Sequence, residues 1–289
     1  MKKPLIILTG PTAVGKTKLS ISLAKAVNGA IISADSMQVY RHMDIGSAKI
    51  RPEEMCGVPH YLIDVLDPSE EFHVVKFVEL AHEAMEKIYA AGQIPIVTGG
   101  TGFYIQALLK EVDFTESHGE LPIRKQLEEK AATEEGAAEL YRELSEVDPA
   151  SAETIHPNNV KRVIRALEYY HETGQKISEH NEEQKQKESP YCSAYFVLND
   201  ERSILYDRID RRVDQMICDG LVDEVFRLKE MGYTRDLVSM QGLGYKELFP
   251  YLAGECTLEE AVYIIKRDTR HFAKRQLTWF RREKDVIWL

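Results

Sequence analysis

Residues Gly10–Thr17 read GPTAVGKT and match the pattern G-x-x-x-x-G-K-[ST]. An apolar run, residues 4–9, precedes this stretch, and a segment of helical character, KLSISLAKAV, follows it. When a loop with this pattern lies between a strand and a helix, its backbone N–H groups at the helix N-terminus cradle phosphate groups. Lys16 adds a mobile cation, and the Thr17 hydroxyl is a suitable ligand for Mg²⁺. The stretch therefore predicts a bound di- or triphosphate, held by Gly10, Pro11, Thr12, Ala13, Val14, Gly15, Lys16 and Thr17.

The composition is that of an ordinary globular protein. The chain has 289 residues, of which 44% are hydrophobic, enough to bury a sizeable core. The four cysteines lie far apart without a C-x-x-C pair, which argues against a zinc ribbon or a redox motif. No apolar run has the length of a membrane span or of a signal peptide's apolar region. We therefore expect a cytoplasmic protein that does not enter the membrane.

The first third of the chain alternates between strand and helix patterns. Residues 30–34 and 94–98 read as buried strands, residues 57–64 contain a further strand, and residues 72–91 form an amphipathic helix. This alternation predicts a parallel sheet with helices on its faces. Ligands gather at the carboxyl ends of such strands. The loops that follow three of the strands should therefore converge on one cleft: Gly10–Thr17, Asp35–Gln38 and Gly99–Thr101.

The pattern becomes helical from residue 113 to residue 189. The charged segment 179–188, EHNEEQKQKE, is typical of a solvated connector, and residues 192–198 return to strand character. The predicted helices are 122–132, 134–146, 149–155 and 158–173. The sequence thus predicts an α/β fold: a P-loop NTPase-like parallel sheet core, residues 1–112 and 190–289, with an inserted all-helical domain, residues 113–189.

The charge of the chain is unevenly distributed. The net charge of −10 argues against a polyanionic partner, but residues 266–284 hold eight Lys or Arg and only two acidic residues. On a helical wheel, Arg267, Arg270, Lys274 and Arg281 share one face and apolar residues occupy the other. This face is either a solvated surface paired with acidic residues elsewhere or a stripe that contacts phosphates. The scarcity of acidic residues in this segment favours the stripe.

Three side chains near the expected cleft are candidates for chemistry. The Asp35 carboxylate can bind Mg²⁺ through water, accept a proton from a nucleophile, or cap the next turn. The Gln38 amide can pair with an adenine edge, although polar side chains in loops commonly have no specific partner. Thr101 opens a helix after two glycines, where it is either an N-cap or a site residue. The residues alone do not decide between these roles.

Two further groups of polar and basic residues are candidates for phosphate contacts. Asn158, Asn159, Lys161, Arg162 and Arg165 lie along one helix of the insertion, where they either contact phosphates or form an ordinary polar surface. Arg208 stands in ILYDRIDRRV, and on composition alone it reads as an ion-paired helix residue.

A small-molecule or nucleotide kinase is the first rival function. Such enzymes surround the transferred phosphoryl group with extra cations. Residues 116–153 hold eleven acidic residues against four basic ones, which makes a poor arginine lid. The sequence permits a kinase but does not favour one.

The chain closely resembles the bacterial tRNA dimethylallyltransferases, also called tRNA isopentenyltransferases. The matching stretches span nearly the whole chain in order: GPTAVGKT at Gly10, ISADSMQVY at Ile32, TGGTGFYIQALL at Thr98, HPNNVKRVIRALE at His156, DRIDRRVDQM at Asp207 and MQGLGYKE at Met240. The family transfers a dimethylallyl group from its diphosphate to the exocyclic amine of the adenosine just 3′ of the tRNA anticodon. The chain lacks the zinc finger of the eukaryotic relatives, so the bacterial type is expected.

The resemblance implies roles for individual residues. Asp35 looks like the general base for the amine, Thr101 like the family's active-site threonine, and Arg208, with Thr12, Lys16 and Thr17, like the residues that hold diphosphate and Mg²⁺. The implied metal ligand is Thr17. The stretches that resemble tRNA-contacting segments are Asp35, Ser36, Met37 and Gln38, with Thr101, Arg124, Asn159, Val160, Lys161, Arg162 and Val163; Arg270 and Lys274 join them from the basic stripe.

The expected partners are therefore a tRNA anticodon stem-loop and dimethylallyl diphosphate, with Mg²⁺ as cofactor, and the protein is expected to act as a monomer. Two functions besides a kinase are alternatives to a tRNA dimethylallyltransferase. A noncatalytic RNA-binding module would need neither Asp35 nor Thr101, both of which are present. An enzyme that prenylates free adenine nucleotides would have no use for the basic helix or the insertion.

Overall fold

A parallel sheet forms the centre of the larger part of the chain. The computed structural model describes residues 2–113 and 122–289, and within them the sheet has six strands. They are β1 (Lys3–Thr9), β2 (Gly29–Ser33), β3 (His60–Tyr61), β4 (Ile94–Gly99), β5 (Tyr191–Val197) and β6 (Ile287–Trp288). The spatial order is β3-β2-β4-β1-β5-β6, and every neighbouring pair is parallel. The predicted α/β fold with a parallel sheet is confirmed.

Helices connect the strands and fill most of the remaining chain. Among the described residues they are α1 (Lys16–Val27), α2 (Val74–Ala90), α3 (Gly102–Lys110), α4 (Pro122–Lys130), α5 (Glu134–Val147), α6 (Pro149–Thr154), α7 (Val160–Thr173), α8 (Ile177–Gln186), α9 (Arg202–Cys218), α10 (Leu221–Glu230), α11 (Leu248–Leu252) and α12 (Leu258–Phe280). In the part of the chain that the structure describes, none of these helices has the length and apolar character needed to cross a membrane.

Alternating side chains cover both faces of the sheet. Leu8, Ile31 and Ile96 pack in one apolar cluster with Ala24 of α1. Their neighbours in sequence, among them Ile7 and Ile32, point to the opposite face and join a larger cluster that includes helices α2 and α3. Because successive side chains of a strand point to opposite faces, strands that are apolar throughout must be covered on both sides. This burial fixes the carboxyl ends of the strands, where the cleft lies.

The chain divides into two compact units: residues 1–109 together with 190–289, and residues 110–189. The smaller unit is helical and has its own core, formed by Leu127, Leu140, Leu144, Ala152, Val163, Ile164, Ala166 and Leu167.

The segment expected to be a solvated connector is largely helical instead, because α8 spans Ile177–Gln186. Glu, Gln and Lys are good helix formers, and the segment contains neither Gly nor Pro. Ile177 packs against the core of the helical unit, and Ser178 donates to the buried Asp148 carboxylate. Gln184, which is buried, accepts the Asp113 N–H at 3.0 Å, so the helix is docked by an apolar anchor and by hydrogen bonds at both of its ends.

Candidate active site

The loop of residues 10–17 has the backbone geometry that its sequence predicts. Gly10 and Gly15 adopt positive φ angles of 146° and 99°, which favour glycine. A Cβ atom on Gly10 would lie 2.5 Å from the Leu198 carbonyl oxygen. The Lys16 Nζ atom donates to the carbonyl oxygens of Gly10, at 2.9 Å, and Pro11, at 2.7 Å. Helix α1 begins at Lys16, so its N-terminal N–H groups are directed at the loop.

The charge of Lys16 depends on its surroundings. Burial lowers the pKa of the Lys16 ammonium to about 7; the Asp35 carboxylate opposes this shift, and the Arg212 cation reinforces it. A cation that is desolvated beside another cation is stabilised by an anion in the same place. The loop therefore has the electrostatics of an anion site.

Asp35 lies just beyond the end of β2, and its carboxylate is oriented by the turn that follows. Oδ1 accepts the backbone N–H groups of Met37, at 2.8 Å, and Gln38, at 3.3 Å. The capping interpretation therefore describes part of what Asp35 does. Among the described residues we find no hydrogen bond to Oδ2, and Asp35 lines the cavity described below. One oxygen thus fixes the carboxylate while the other remains available to a ligand.

Thr101 lies between β4 and α3, beside the end of β2. Its backbone N–H donates to the Ala34 carbonyl oxygen at 3.3 Å, which joins the two strand ends. Within the described chain no backbone N–H donates to its hydroxyl, so the structure does not show the side-chain cap that the sequence also allowed. Thr101 lines the same cavity as Asp35.

The three loops converge on a cavity of about 310 Å³. Thr12, Asp35 and Thr101 line it from the three loops, and Arg212 lines it from α9. Its apolar lining comes from α9 and α12: Ile209, Val213, Met216, Ile265 and Phe272. One cavity thus places a phosphate loop, a carboxylate and an apolar wall side by side.

Two loop segments, residues 46–48 and 241–244, also line the cavity, as do Lys246, Thr269, Arg275 and Gln276. Glu224 of α10 holds the first segment, because its buried carboxylate accepts the N–H groups of Asp44, Ile45 and Gly46 at 2.8–3.1 Å. The Tyr245 hydroxyl donates to the same carboxylate at 2.7 Å and accepts the Ser47 N–H at 3.2 Å. A buried carboxylate with four donors is a rigid anchor for this wall.

Replacing Glu224 by alanine is expected to destabilise the protein by about 3 kcal/mol, because it leaves buried N–H groups without an acceptor. Urea unfolding measures the loss. Glu230→Ala, on the exposed end of the same helix, serves as the matched control and should change the free energy of unfolding by less than about 0.5 kcal/mol. Equal stability of the two variants would show that the anchor contributes nothing.

Arg212 is a cation of the cavity lining near Lys16 and Asp35, whereas the family resemblance suggested Arg208 as the arginine that holds diphosphate. The Arg208 guanidinium forms an ion pair with Asp200 at 2.8 Å and does not belong to the cavity lining. Burial lowers the pKa of Arg212, and the Asp35 carboxylate opposes the shift. Both arginines lie within about 40° of each other on the wheel of α9, so periodicity does not separate them. Only the position along the helix axis, one turn further on, brings Arg212 to the cleft.

The basic stripe of α12 is partly neutralised by acidic residues of α9. Arg270 contacts both carboxylate oxygens of Asp210, at 2.6 and 2.7 Å, and Lys266 pairs with Asp214 at 2.6 Å. Both acids lie on α9, so the scarcity of acidic residues within α12 does not leave Arg270 and Lys266 unpaired, and the alternative of pairing with acidic residues elsewhere applies to Arg270. Lys274 and Arg275 line an open depression with His271, Thr278, Trp279 and Arg282, and Lys274 has no ion pair among the described residues.

The remaining candidate residues have diverse surroundings. Gln38 lies outside the cavity lining, and its amide nitrogen lies 3.4 Å from the carbonyl oxygens of Ser47 and Ala48. In the helical unit, Lys161 and Arg162 are exposed, as is Asn159 at the start of α7. Other members of this set contribute to the fold of that unit: Val163 is in its core, Val160 packs against the core, and Arg124 pairs with Glu128 and Glu168.

Comparisons with known proteins agree on one family. A family model described as IPP transferase matches residues 38–283, and one described as isopentenyl transferase matches residues 3–71. A tRNA dimethylallyltransferase of Lachnoclostridium phytofermentans is 68% identical over 99% of this chain and 91% of its own length. The enzyme of the same name from Carboxydothermus hydrogenoformans is 50% identical over 100% and 92%.

Solved structures give the same result. A tRNA isopentenylpyrophosphate transferase from Bacillus halodurans superposes with a TM-score of 0.74 at 47% identity, over 100% of this chain and 90% of that one. A eukaryotic dimethylallyltransferase acting on tRNA has a TM-score of 0.86 at 35% identity, over 99% and 73%. The chain belongs to the tRNA dimethylallyltransferase family, also described as the IPP transferases.

Proposed function

We propose that this protein transfers the dimethylallyl group of dimethylallyl diphosphate to the exocyclic amine of the adenosine 3′ to the anticodon of tRNA. The observation that carries the proposal is the single cavity in which a phosphate loop, an apolar wall and the side chains of Asp35 and Thr101 meet. The relatives named tRNA dimethylallyltransferase support it. Each part of the cavity corresponds to one part of the reaction.

The phosphate loop holds the group that departs. As the allylic carbon–oxygen bond breaks, its electron pair passes to the diphosphate oxygen, and negative charge increases there. Preorganised N–H groups and cations stabilise charge that develops in a transition state. Lys16 of the loop and Arg212 of the cavity lining are the cations near Asp35, while the apolar side chains of α9 and α12 accommodate the five-carbon chain.

The carboxylate of Asp35 serves the acceptor. An exocyclic amine is a weak nucleophile, and a carboxylate that accepts its hydrogen bond orients the nitrogen and later receives its proton. Oδ2 is available for this contact because Oδ1 is held by the turn. The nitrogen forms the new bond to the allylic carbon, and loss of one proton from the amine restores neutrality. Thr101 lies at the same end of the cavity and contacts the target nucleotide.

The oxygen donors near the phosphate loop fit a magnesium ion. Thr17 is exposed at the start of α1, and the described residues contain no cluster of three or more His, Cys, Asp or Glu that would form a complete metal cage. Mg²⁺ is usually held by one or two protein oxygens together with phosphate oxygens and water. A bound Mg²⁺ would neutralise charge on the diphosphate, and Thr17 is the residue that would hold it.

The RNA-facing surfaces are proposed from charge and exposure. Lys274 and Arg275 border the depression on α12, Arg270 lies one turn earlier on the same helix, and Lys161 and Arg162 are exposed on the helical unit. The target base must leave its stack to reach the cavity, and this costs least in a single-stranded loop. An anticodon loop satisfies that requirement.

Lys274→Ala is expected to weaken binding of an anticodon stem-loop and to reduce the slope of log K against log salt concentration by about one. The matched control is Lys229→Ala, at an exposed lysine of α10 outside these surfaces, and should leave the slope nearly unchanged. Fluorescence anisotropy at several salt concentrations measures both. Identical slopes for Lys274→Ala and the wild-type protein would show that Lys274 does not contact the RNA.

A nucleotide kinase is less well supported. The phosphate loop and the strand-end carboxylate suit either function, but the apolar side chains of α9 and α12 in the cavity lining match a hydrocarbon chain better than a transferred phosphoryl group. A noncatalytic RNA-binding module would have no need to enclose Asp35 and Thr101 in one cavity.

Mass spectrometry of nucleosides tests the proposal directly. Unmodified tRNA is incubated with the protein, Mg²⁺ and dimethylallyl diphosphate, beside a reaction that contains ATP alone. Prenylated adenosine is expected only with dimethylallyl diphosphate. Absence of that product, with ATP consumed in the second reaction, would favour the kinase instead.

A further inference from the structure

Gln276 of α12 connects two loops of the cavity through its amide group. The side chain is buried, and the residue is 6% exposed. Its Oε1 accepts the Thr12 backbone N–H at 2.9 Å, and its Nε2 donates to the Gly100 carbonyl oxygen at 3.0 Å. Thr12 belongs to the phosphate loop, and Gly100 directly precedes Thr101. One side chain therefore links the leaving-group end of the cavity to the residue beside the acceptor.

Glycine at position 100 leaves room for the Gln276 amide. A Cβ atom on Gly100 would lie 2.0 Å from the Gln276 Nε2 atom, so any larger residue would displace the amide. The two backbone partners are one donor and one acceptor. A neutral amide satisfies both at once, whereas a carboxylate has no donor for Gly100 and an apolar side chain satisfies neither.

We propose that Gln276 is a positioning residue that fixes the spacing between the diphosphate-binding loop and Thr101. It also occupies the Thr12 N–H group, so the diphosphate is held by the other donors of the loop. This inference rests on the proposed function, because the spacing has a catalytic meaning only if the two loops hold the two reactants. Misplacement of reactants by about 1 Å lowers rates by about two orders of magnitude.

The first test is Gln276→Met, which keeps the length of the side chain and removes both hydrogen bonds. The turnover number is expected to fall by about tenfold to a hundredfold. The KM for an anticodon stem-loop should change by less than about threefold, because both polar ends of the Gln276 amide are engaged by backbone groups of the protein. Calorimetry with inorganic diphosphate and Mg²⁺ should show binding that is retained, since the other loop donors remain.

The second test is Gln276→Glu, whose protonation state determines whether the link forms. A neutral carboxyl group donates its O–H to Gly100 and accepts from Thr12, as the amide does. An ionised carboxylate directs a lone pair at the Gly100 carbonyl oxygen and loses that bond. The turnover of this variant, divided by that of the wild-type protein at the same pH, is expected to rise several-fold between about pH 8 and pH 6.

Gln276→Met is the matched control for this pH profile, because its ratio to the wild-type protein should not change with pH. The charged groups that line or adjoin the same cavity from several elements are present in all three proteins: Lys16, Asp35, Arg212, Lys246 and Arg275. Division by the wild-type rate removes the part of the pH dependence that the three proteins share.

The outcomes separate this inference from the proposed function. No prenylated adenosine from the wild-type protein contradicts the proposed function and this inference with it. Wild-type product together with an unchanged turnover number for Gln276→Met contradicts the inference alone. If circular dichroism shows that Gln276→Met does not fold, the pH profile of Gln276→Glu decides: a ratio that rises on acidification supports positioning, and a flat ratio overturns it.

Discussion

Replacing Asp35 by asparagine is expected to lower the turnover number by about 10²–10⁴-fold while tRNA affinity changes little. Asparagine keeps the Oδ1 acceptor for the Met37 N–H, so the turn that holds the residue is retained. It loses the negative charge that attracts the amine proton, and its amide group presents a donor where the carboxylate presented an acceptor. The effect should therefore appear in the chemical step rather than in RNA binding.

Single-turnover kinetics with saturating RNA and dimethylallyl diphosphate measure that step. Asp223→Asn is the matched control, since this residue lies on α10 outside the cavity lining. It should retain wild-type turnover within about twofold. Wild-type turnover of Asp35→Asn would show that Asp35 only shapes the turn, and an equal loss of RNA affinity and turnover would show that it binds rather than activates the adenosine.

The core of the fold could be predicted because local patterns and tertiary requirements agree there. The strands β1, β2 and β4 are buried on both faces, so each appears in the sequence as a nearly continuous apolar run that is typical of a buried strand. The glycines of the phosphate loop indicate positive φ angles, because glycine has no Cβ atom and adopts these angles readily. Convergence of the three loops follows from the parallel order of these strands, since their carboxyl ends meet at one edge.

Features that depend on contacts between distant segments were not predicted. The strand β6 has two residues, and next to it the Leu289 backbone exchanges hydrogen bonds with Val197 and Asn199. Helix α8 is docked through a hydrogen bond between Ser178 and Asp148, 30 residues apart. Two ion pairs of α12 have their acidic partners on α9, and in the pair of Arg270 with Asp210 the partner lies 60 residues earlier. A pattern within a single helix carries no information on such partners.

The residues of the candidate site follow the same division. Asp35 and Thr101 stand directly at strand ends, so their place in the cavity could be inferred from local sequence. Gln276 lies on α12, where only charged residues were predicted as site residues. Its neutral amide was not identified as part of the site. A polar residue among the apolar positions of an amphipathic helix is a usable signal, because a buried amide requires partners. Gln276 is such a residue, since Ala273 and Phe280 on the same face are buried.

Arg212→Ala is expected to lower the turnover number by about 10²–10³-fold, whereas Arg208→Ala should remain within a few-fold of the wild-type protein. The two arginines belong to the same helix and are separated by one turn, so each is the control for the other. Arg212 lines the cavity and interacts with both Lys16 and Asp35. Arg208 is paired with Asp200 and lies outside the lining.

The physical reason for the difference is the environment of the charge. A cation in a water-excluded cleft stabilises the departing diphosphate far more strongly than one that is exposed and already neutralised by a carboxylate. Arg212→Lys should recover part of the loss, since it restores a point charge without the planar donors that contact two phosphate oxygens together. Steady-state kinetics of the three variants, with unfolding transitions as a check on folding, measure this order. A larger loss for Arg208→Ala than for Arg212→Ala would place the diphosphate near the start of α9 and contradict the arrangement of the cavity.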